Sequence, residues 1–295
     1  MDAERGITVF ADSESAEAIS PLLEAWGREG RRARVDSGGM PDAHALDRAA
    51  RRSAAVLVVG PRNRSPRTVL PGPVVWVGTR AVPVSWVPRT SAADLRTFAV
   101  AAARVHARGR ARGPLTFAVL GERHPRFDRL AERIVRLARE DASGSLAPLR
   151  WTAYDIDRTD LAERIGRGPG LALYVGHGRP IGWVGYAGLR IHHFAAAEPA
   201  GAIVSLTCKT ASRRRTGLSF AEALPLRGIA AASLGAIGPT LHTANARWAV
   251  RLTRAAPTAE TIGDLVAASA TRDPSDATYR LLGDPTAPLR DAEEP

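Results

Sequence analysis

One thiol and one imidazole end two apolar runs of this 295-residue chain. Leu171-Ala-Leu-Tyr-Val-Gly-His-Gly178 delivers His177, and Ala202-Ile-Val-Ser-Leu-Thr-Cys208 delivers Cys208, the only cysteine. Both runs read as buried strands. The carboxyl ends of strands in an open α/β sheet are where sites gather. A thiolate attacks a carbonyl carbon, and an imidazole can hand a proton to a departing amine near neutral pH. On neighbouring parallel strands the two could face one substrate bond from two sides. The chemistry expected is that of a cysteine peptidase.

The elements that must position these residues follow an α/β alternation. The first unit predicts a strand over 7–10 and a helix over 16–27, with Ile19, Leu22, Leu23 and Trp26 on one face. A short strand near 34–35, a helix over 42–52 and a buried strand over 54–59 follow. Residues 61–73 read as a Pro/Arg-rich loop, 74–77 and 84–87 as short strands, and 92–107 as a helix. Residues 108–113 are polar and glycine-bounded, a linker pattern. The second unit predicts strands over 115–120, 150–154, 171–175, 202–206, 229–234 and 279–282. Its helices are expected over 126–140, 159–165, 219–226, 243–254 and 259–270, and residues 291–295 read as a tail. The pattern implies a mainly parallel sheet covered on both faces. It also implies an N-terminal α/β subdomain over 1–107 and a catalytic domain over 114–290, each with its own sheet.

Composition narrows the class. Hydrophobic residues make up 45% and charged residues 24%, as in globular chains. No apolar run approaches the roughly 20 residues that span a bilayer. The N-terminus lacks a signal-peptide core, and a single cysteine suits a reducing cytoplasm. The net charge of +11 could suggest nucleic acid. However, Lys209 is the only lysine, and the arginines are scattered apart from 108–112 and 213–215. No basic helix with interleaved aromatics is present, which argues against a nucleic-acid partner.

The ordered set of apolar strand, His-Gly, apolar strand and Cys resembles the caspase-like cysteine peptidases. Gly176-His177-Gly178 with Trp183 downstream, Phe220-Ala-Glu-Ala-Leu224 after the cysteine, and Gly283-Asp284-Pro285 near the end narrow the resemblance to the gingipain branch. Tyr154-Asp155, before the helix that leads to the histidine strand, is similar as well. The resemblance spans about 115–289 and implies a three-layer caspase-like fold. It further implies that the first unit is a shortened, degenerate caspase-like subdomain. His177 and Cys208 would form a catalytic dyad acting through an acyl-enzyme. The backbone N–H groups of Gly178 and Cys208 would hold the oxyanion. The resemblance implies no organic cofactor and no third acidic member. It allows structural calcium, although no calcium loop is legible. The residues between Cys208 and Phe220 are more basic than the family pattern.

Other residues carry two readings each. Trp183 could line the cleft or fill the core. Asp155 and Asp157 could bind a basic P1 side chain or cap the next helix. Residues 213–215 could attract acidic substrates, form an activation loop or simply be solvated. Gly235 and Gly238, after the next strand, fall where the family places part of its S1 wall, and they also suit a turn. His192 and His193 lack matching ligand spacing and read as strand or loop residues. The expected protein is thus an intracellular endopeptidase acting on a protein or peptide substrate, with a regulatory or activating partner. The alternatives are an inactive caspase-like scaffold, or a nucleotide-binding α/β protein, for which no phosphate loop is legible.

Overall fold

A computed structural model of the chain describes residues 6–108, 113–195, 198–213 and 217–290. The first unit contains β1 (Gly6–Phe10), α1 (Ser13–Ala18), α2 (Ser20–Arg28), β2 (Arg32–Asp36) and α3 (Ala43–Arg52). It continues with β3 (Ala55–Pro61), α4 (Pro66–Val69), β4 (Val74–Val77), β5 (Arg80–Arg89) and α5 (Ala92–Arg108). The second unit opens with β6 (Leu115–Gly121), α6 (Pro125–Arg139), β7 (Leu146–Arg150), α7 (Arg158–Ile165) and β8 (Leu171–Val175). A small hairpin of β9 (Gly178–Arg179) and β10 (Gly182–Trp183) precedes α8 (Gly185–Gly188) and β11 (Ala200–Leu206). Then come α9 (Phe220–Leu226), β12 (Ala230–Ala236), α10 (His242–Ala255), α11 (Ile262–Ser269) and β13 (Tyr279–Gly283).

Local chemistry sets several boundaries. Asp12 accepts the N–H of Ser15 and starts α1. The single helix expected over 16–27 is instead two, divided at Ile19. Pro21 cannot donate to the preceding turn and sits where a new helix begins. The expected loop over 61–73 holds the four-residue α4, closed by a capping box between Ser65 and Thr68. A helix this short carries no periodicity for the sequence to reveal.

Eleven of the described strands form one sheet in the order β2-β1-β3-β5-β13-β12-β11-β8-β6-β7, with β4 paired antiparallel to β5, while β9 and β10 pair only with each other. Separate sheets on either side of 104–113 are therefore not what forms. β13 joins the units, pairing antiparallel with β12 and parallel with β5 through Leu281 opposite Ser85 and Leu282 opposite Trp86. All five β13 residues are buried, so their backbone groups need a partner on both edges, and β5 supplies the second. The two sets of parallel strands thus run in opposite directions and meet at β12–β13. Most of the linker expected over 108–113 lies outside the described residues.

Helices cover both faces. One face carries a continuous core spanning both units, with Trp26, Phe98, Ile134, Trp248 and Leu265 from five helices. The other carries two smaller cores, around Trp183 and Phe220 and around Leu46 and Trp86. A buried ion triad ties the first core to the closing turn. His106 Nδ1 lies 2.7 Å from Glu29 Oε1, and Nε2 lies 2.7 Å from Asp284 Oδ2. Burial alone would lower the imidazole pKa, but Asp284 and Glu29 outweigh it and raise the value to about 9.

Candidate active site

β8 and β11 are adjacent and parallel, with Val175 opposite Leu206. His177 and Cys208 each lie two residues beyond that pair. The two-residue period of a strand therefore carries both toward the face of Val175 and Leu206, under α6 and α10. The two turns touch: a Cβ on Gly178 would lie 2.6 Å from side-chain atoms of Thr207 and 2.7 Å from the Cys208 carbonyl oxygen. Only a glycine lets the histidine turn approach the cysteine turn so closely.

The exposed His177 packs its ring edge-on against Phe127 of α6, with centroids 5.2 Å apart. Phe127 also meets His242, the first residue of α10, at 5.5 Å. Burial, then the charges of Arg126 and His177, hold the His242 imidazole below its usual pKa. Its Nδ1 is buried and has no hydrogen-bond partner among the described residues. The partly exposed Cys208 lies against Thr240: the Thr240 N–H points at Sγ from 3.3 Å, and Thr240 O and Oγ1 are both 3.6 Å from Sγ. Tyr279 lies nearby and donates its hydroxyl to Asn245 Oδ1. Burial, then the Cys208 charge, pushes its phenol well above the usual value, so it stays a neutral donor.

A carboxylate stands beside this pair that sequence reasoning did not name. Glu122 follows β6, whose Gly121 lies opposite Val175. Its Oε2 accepts the His177 N–H at 2.5 Å, and its own N–H donates to Val175 O at 3.0 Å. The available signal was a glutamate directly after a strand on the same sheet edge. The His177 carbonyl is fixed as well, accepting from the Tyr174 hydroxyl at 3.1 Å and the Val184 N–H at 2.9 Å.

The substrate-binding expectations fare differently. Trp183 is a core residue at 2% exposure, not a cleft wall. It stacks on Tyr174 at 4.3 Å and donates from Nε1 to Ser205 Oγ at 2.9 Å, because β10 turns its ring under the sheet. Asp155 does not offer a free carboxylate for a basic P1 group. Arg150 binds both its oxygens, at 2.9 and 2.8 Å, and Thr152 Oγ1 donates at 2.8 Å. Asp157 caps α7 through the N–H groups of Thr159 and Asp160. Gly235 is close packing rather than an open wall, since a Cβ there would meet Thr210 Oγ1 at 2.8 Å. Gly238 does border the cysteine turn, and its carbonyl accepts the Lys209 N–H at 3.0 Å. Lys209 itself has φ +63°, a left-handed conformation that costs a non-glycine residue about 1 kcal/mol.

Arg213 is neither a solvated residue nor a free attractor of substrate. It pairs with the fully buried Glu222 at 2.7–2.9 Å, and Trp86 Nε1 adds a bond at 3.3 Å. Arg214 and Arg215 lie outside the described residues. His193 Nδ1 accepts the Arg190 N–H at 2.9 Å. Among the described residues no three His, Cys, Asp or Glu side chains cluster to hold a metal ion.

The model of peptidase family C25 matches residues 131–290, more than half of the chain and all of the Cys208 region. The chain belongs to peptidase family C25. This C25 chain is thus a cysteine peptidase, a hydrolase. No curated protein sequence matches it. Its fold is similar to the crystal structure of the Arg-specific cysteine proteinase gingipain R, with TM-score 0.74 and 14% identity over 99% of this chain and 79% of that one. A complex of the Porphyromonas gingivalis RgpB pro- and mature domains gives TM-score 0.71 and 14% identity over 97% and 80%. The Saccharomyces cerevisiae separase–securin complex gives 0.51 and 13% over 78% of the C25 chain and 16% of separase. At these identities the likeness extends to the fold alone, a caspase-like three-layer arrangement on a mostly parallel sheet.

Proposed function

We propose that this C25 peptidase is an endopeptidase in which Cys208 and His177 form the catalytic dyad. The observation that carries the reading is the contact between the two turns across Gly178, at the ends of adjacent parallel strands. The Cys208 thiolate attacks the scissile carbonyl carbon, and the carbonyl electrons move to oxygen. The N–H groups of Gly178 and Cys208 stabilise that oxyanion. Collapse breaks the C–N bond while His177 gives the leaving amine its proton. Water, deprotonated by His177, then attacks the thioester and releases the acid and the free thiol. Glu122 positions His177 by holding its backbone N–H. Phe127 packs against the ring, and His242 packs on Phe127 in turn.

The single cysteine supports action inside a reducing compartment. Among the described residues no helix is long and apolar enough to cross a membrane. The proposed substrate is a specific partner protein. Support for regulation by a partner comes from the pro-domain and securin complexes of the structurally similar peptidases. An acyloxymethyl ketone peptide tests the dyad. Mass spectrometry should find it on Cys208, with labelling slowed at least about a hundredfold in His177→Ala. Equal labelling of wild type and His177→Ala would remove the imidazole from the mechanism.

A further inference from the structure

The sheet edge farthest from β7 carries an open groove of about 340 Å³. β1 and β2 pair in parallel with Gly6 opposite Arg32 and Thr8 opposite Arg34. Arg32 and Arg34 therefore share a face with the groove floor, Gly6 and Thr8. Arg48 and Arg52, four residues apart on α3, form the opposite wall. Among the described residues, none of these four arginines has a carboxylate within ion-pair distance. Among the described residues that line the groove the one carboxylate, Asp36, accepts the Gly38 N–H at 2.9 Å. The polar pair at the floor, Thr8 Oγ1 and Ser53 Oγ, is satisfied internally at 2.6 Å.

The outer backbone edge beside the groove has no strand partner among the described residues. β2 is the outermost strand, and all five of its residues are exposed. Ala11 N–H bonds to Asp36 O, so the polar groups of Asp36, Arg34 and Arg32 turn toward β1. Those of Ala33 and Val35 turn outward, a ladder with no strand beside it among the described residues, next to four arginines.

We propose that this edge binds an extended acidic segment of a partner protein, which adds as a strand beside β2 while its carboxylates enter the groove. A peptide fits better than a nucleic acid because it satisfies both features at once, the ladder through its backbone and the arginines through its side chains. The site is distinct from Cys208: β2 lies six strand positions from β11, about 29 Å at about 4.8 Å per step.

The probe is a fluorescein-labelled, end-blocked octapeptide of alternating glutamate and valine. It is titrated by anisotropy against the full chain carrying Cys208→Ala, so that it is not cleaved. Saturable binding below about 100 μM at low salt is expected. Arg34→Glu with Arg48→Glu, both on exposed positions and checked by circular dichroism, should weaken it at least about tenfold. The same peptide N-methylated at its valines or at its glutamates should lose at least about tenfold in one of the two patterns. No saturation at about 1 mM would overturn the proposal. So would unchanged binding of both N-methylated peptides, or tighter binding of a twelve-residue oligothymidylate at the same arginines.

Discussion

Gly178 concentrates the residue-scale argument. Its lack of a side chain lets the turn bearing His177 rest on Thr207 and the Cys208 carbonyl. Gly178→Ala should displace that turn by a sizeable fraction of an ångström. Steady-state cleavage should then show kcat/KM reduced roughly a hundredfold, with about 1–3 kcal/mol of stability lost to the overpacking. The placement of His177 and Cys208 at one sheet edge was legible because each ends an apolar run, and strand ends deliver side chains to one edge. Glu122 was not, because its contact is with a backbone amide on a neighbouring strand, which no spacing reveals. Trp183 and Asp155 were visible as an aromatic and an acid, but their partners, Tyr174 and Arg150, depend on packing. Asp155→Asn should therefore cost about 1 kcal/mol in urea unfolding. Its ratio of kcat/KM for arginine and leucine P1 substrates should stay that of the wild type. A selective loss on the arginine substrate would restore Asp155 to the binding site.

At the scale of elements, long periodic helices and central apolar strands were readable, whereas breaks and buried charges were not. The division of α1 from α2 rests on Pro21. The reading of 213–215 as loop charge missed that Arg213 folds inward against Glu222, on which Ser219 also closes its capping box. Arg213→Ala leaves that carboxylate buried without its cation and should cost about 3–5 kcal/mol. Arg213→Met combined with Glu222→Gln should recover much of the loss. Denaturant midpoints of the two variants check this, and equal midpoints would show that the pair contributes no coupling.

At the scale of the whole molecule, the alternation announced a parallel sheet, but not that both units share it. The junction needed β13 to pair with β5, a contact between residues nearly 200 positions apart. His106 secures the turn that follows β13. Its pKa is raised from 6.5 to about 9, so the triad's stabilisation is complete below about pH 6.5 and lost as pH rises through about 9. Thermal unfolding should show about 3 kcal/mol of stability disappearing across that window in wild type. That slope should be absent in His106→Gln. The catalytic claim has a more direct test, because the chain holds one cysteine and nothing can replace it. Purified Cys208→Ala, its fold verified by circular dichroism, is assayed for cleavage of a peptide mixture beside wild type. The account predicts a loss of at least about four orders of magnitude in kcat/KM, and cleavage at the wild-type rate would contradict it.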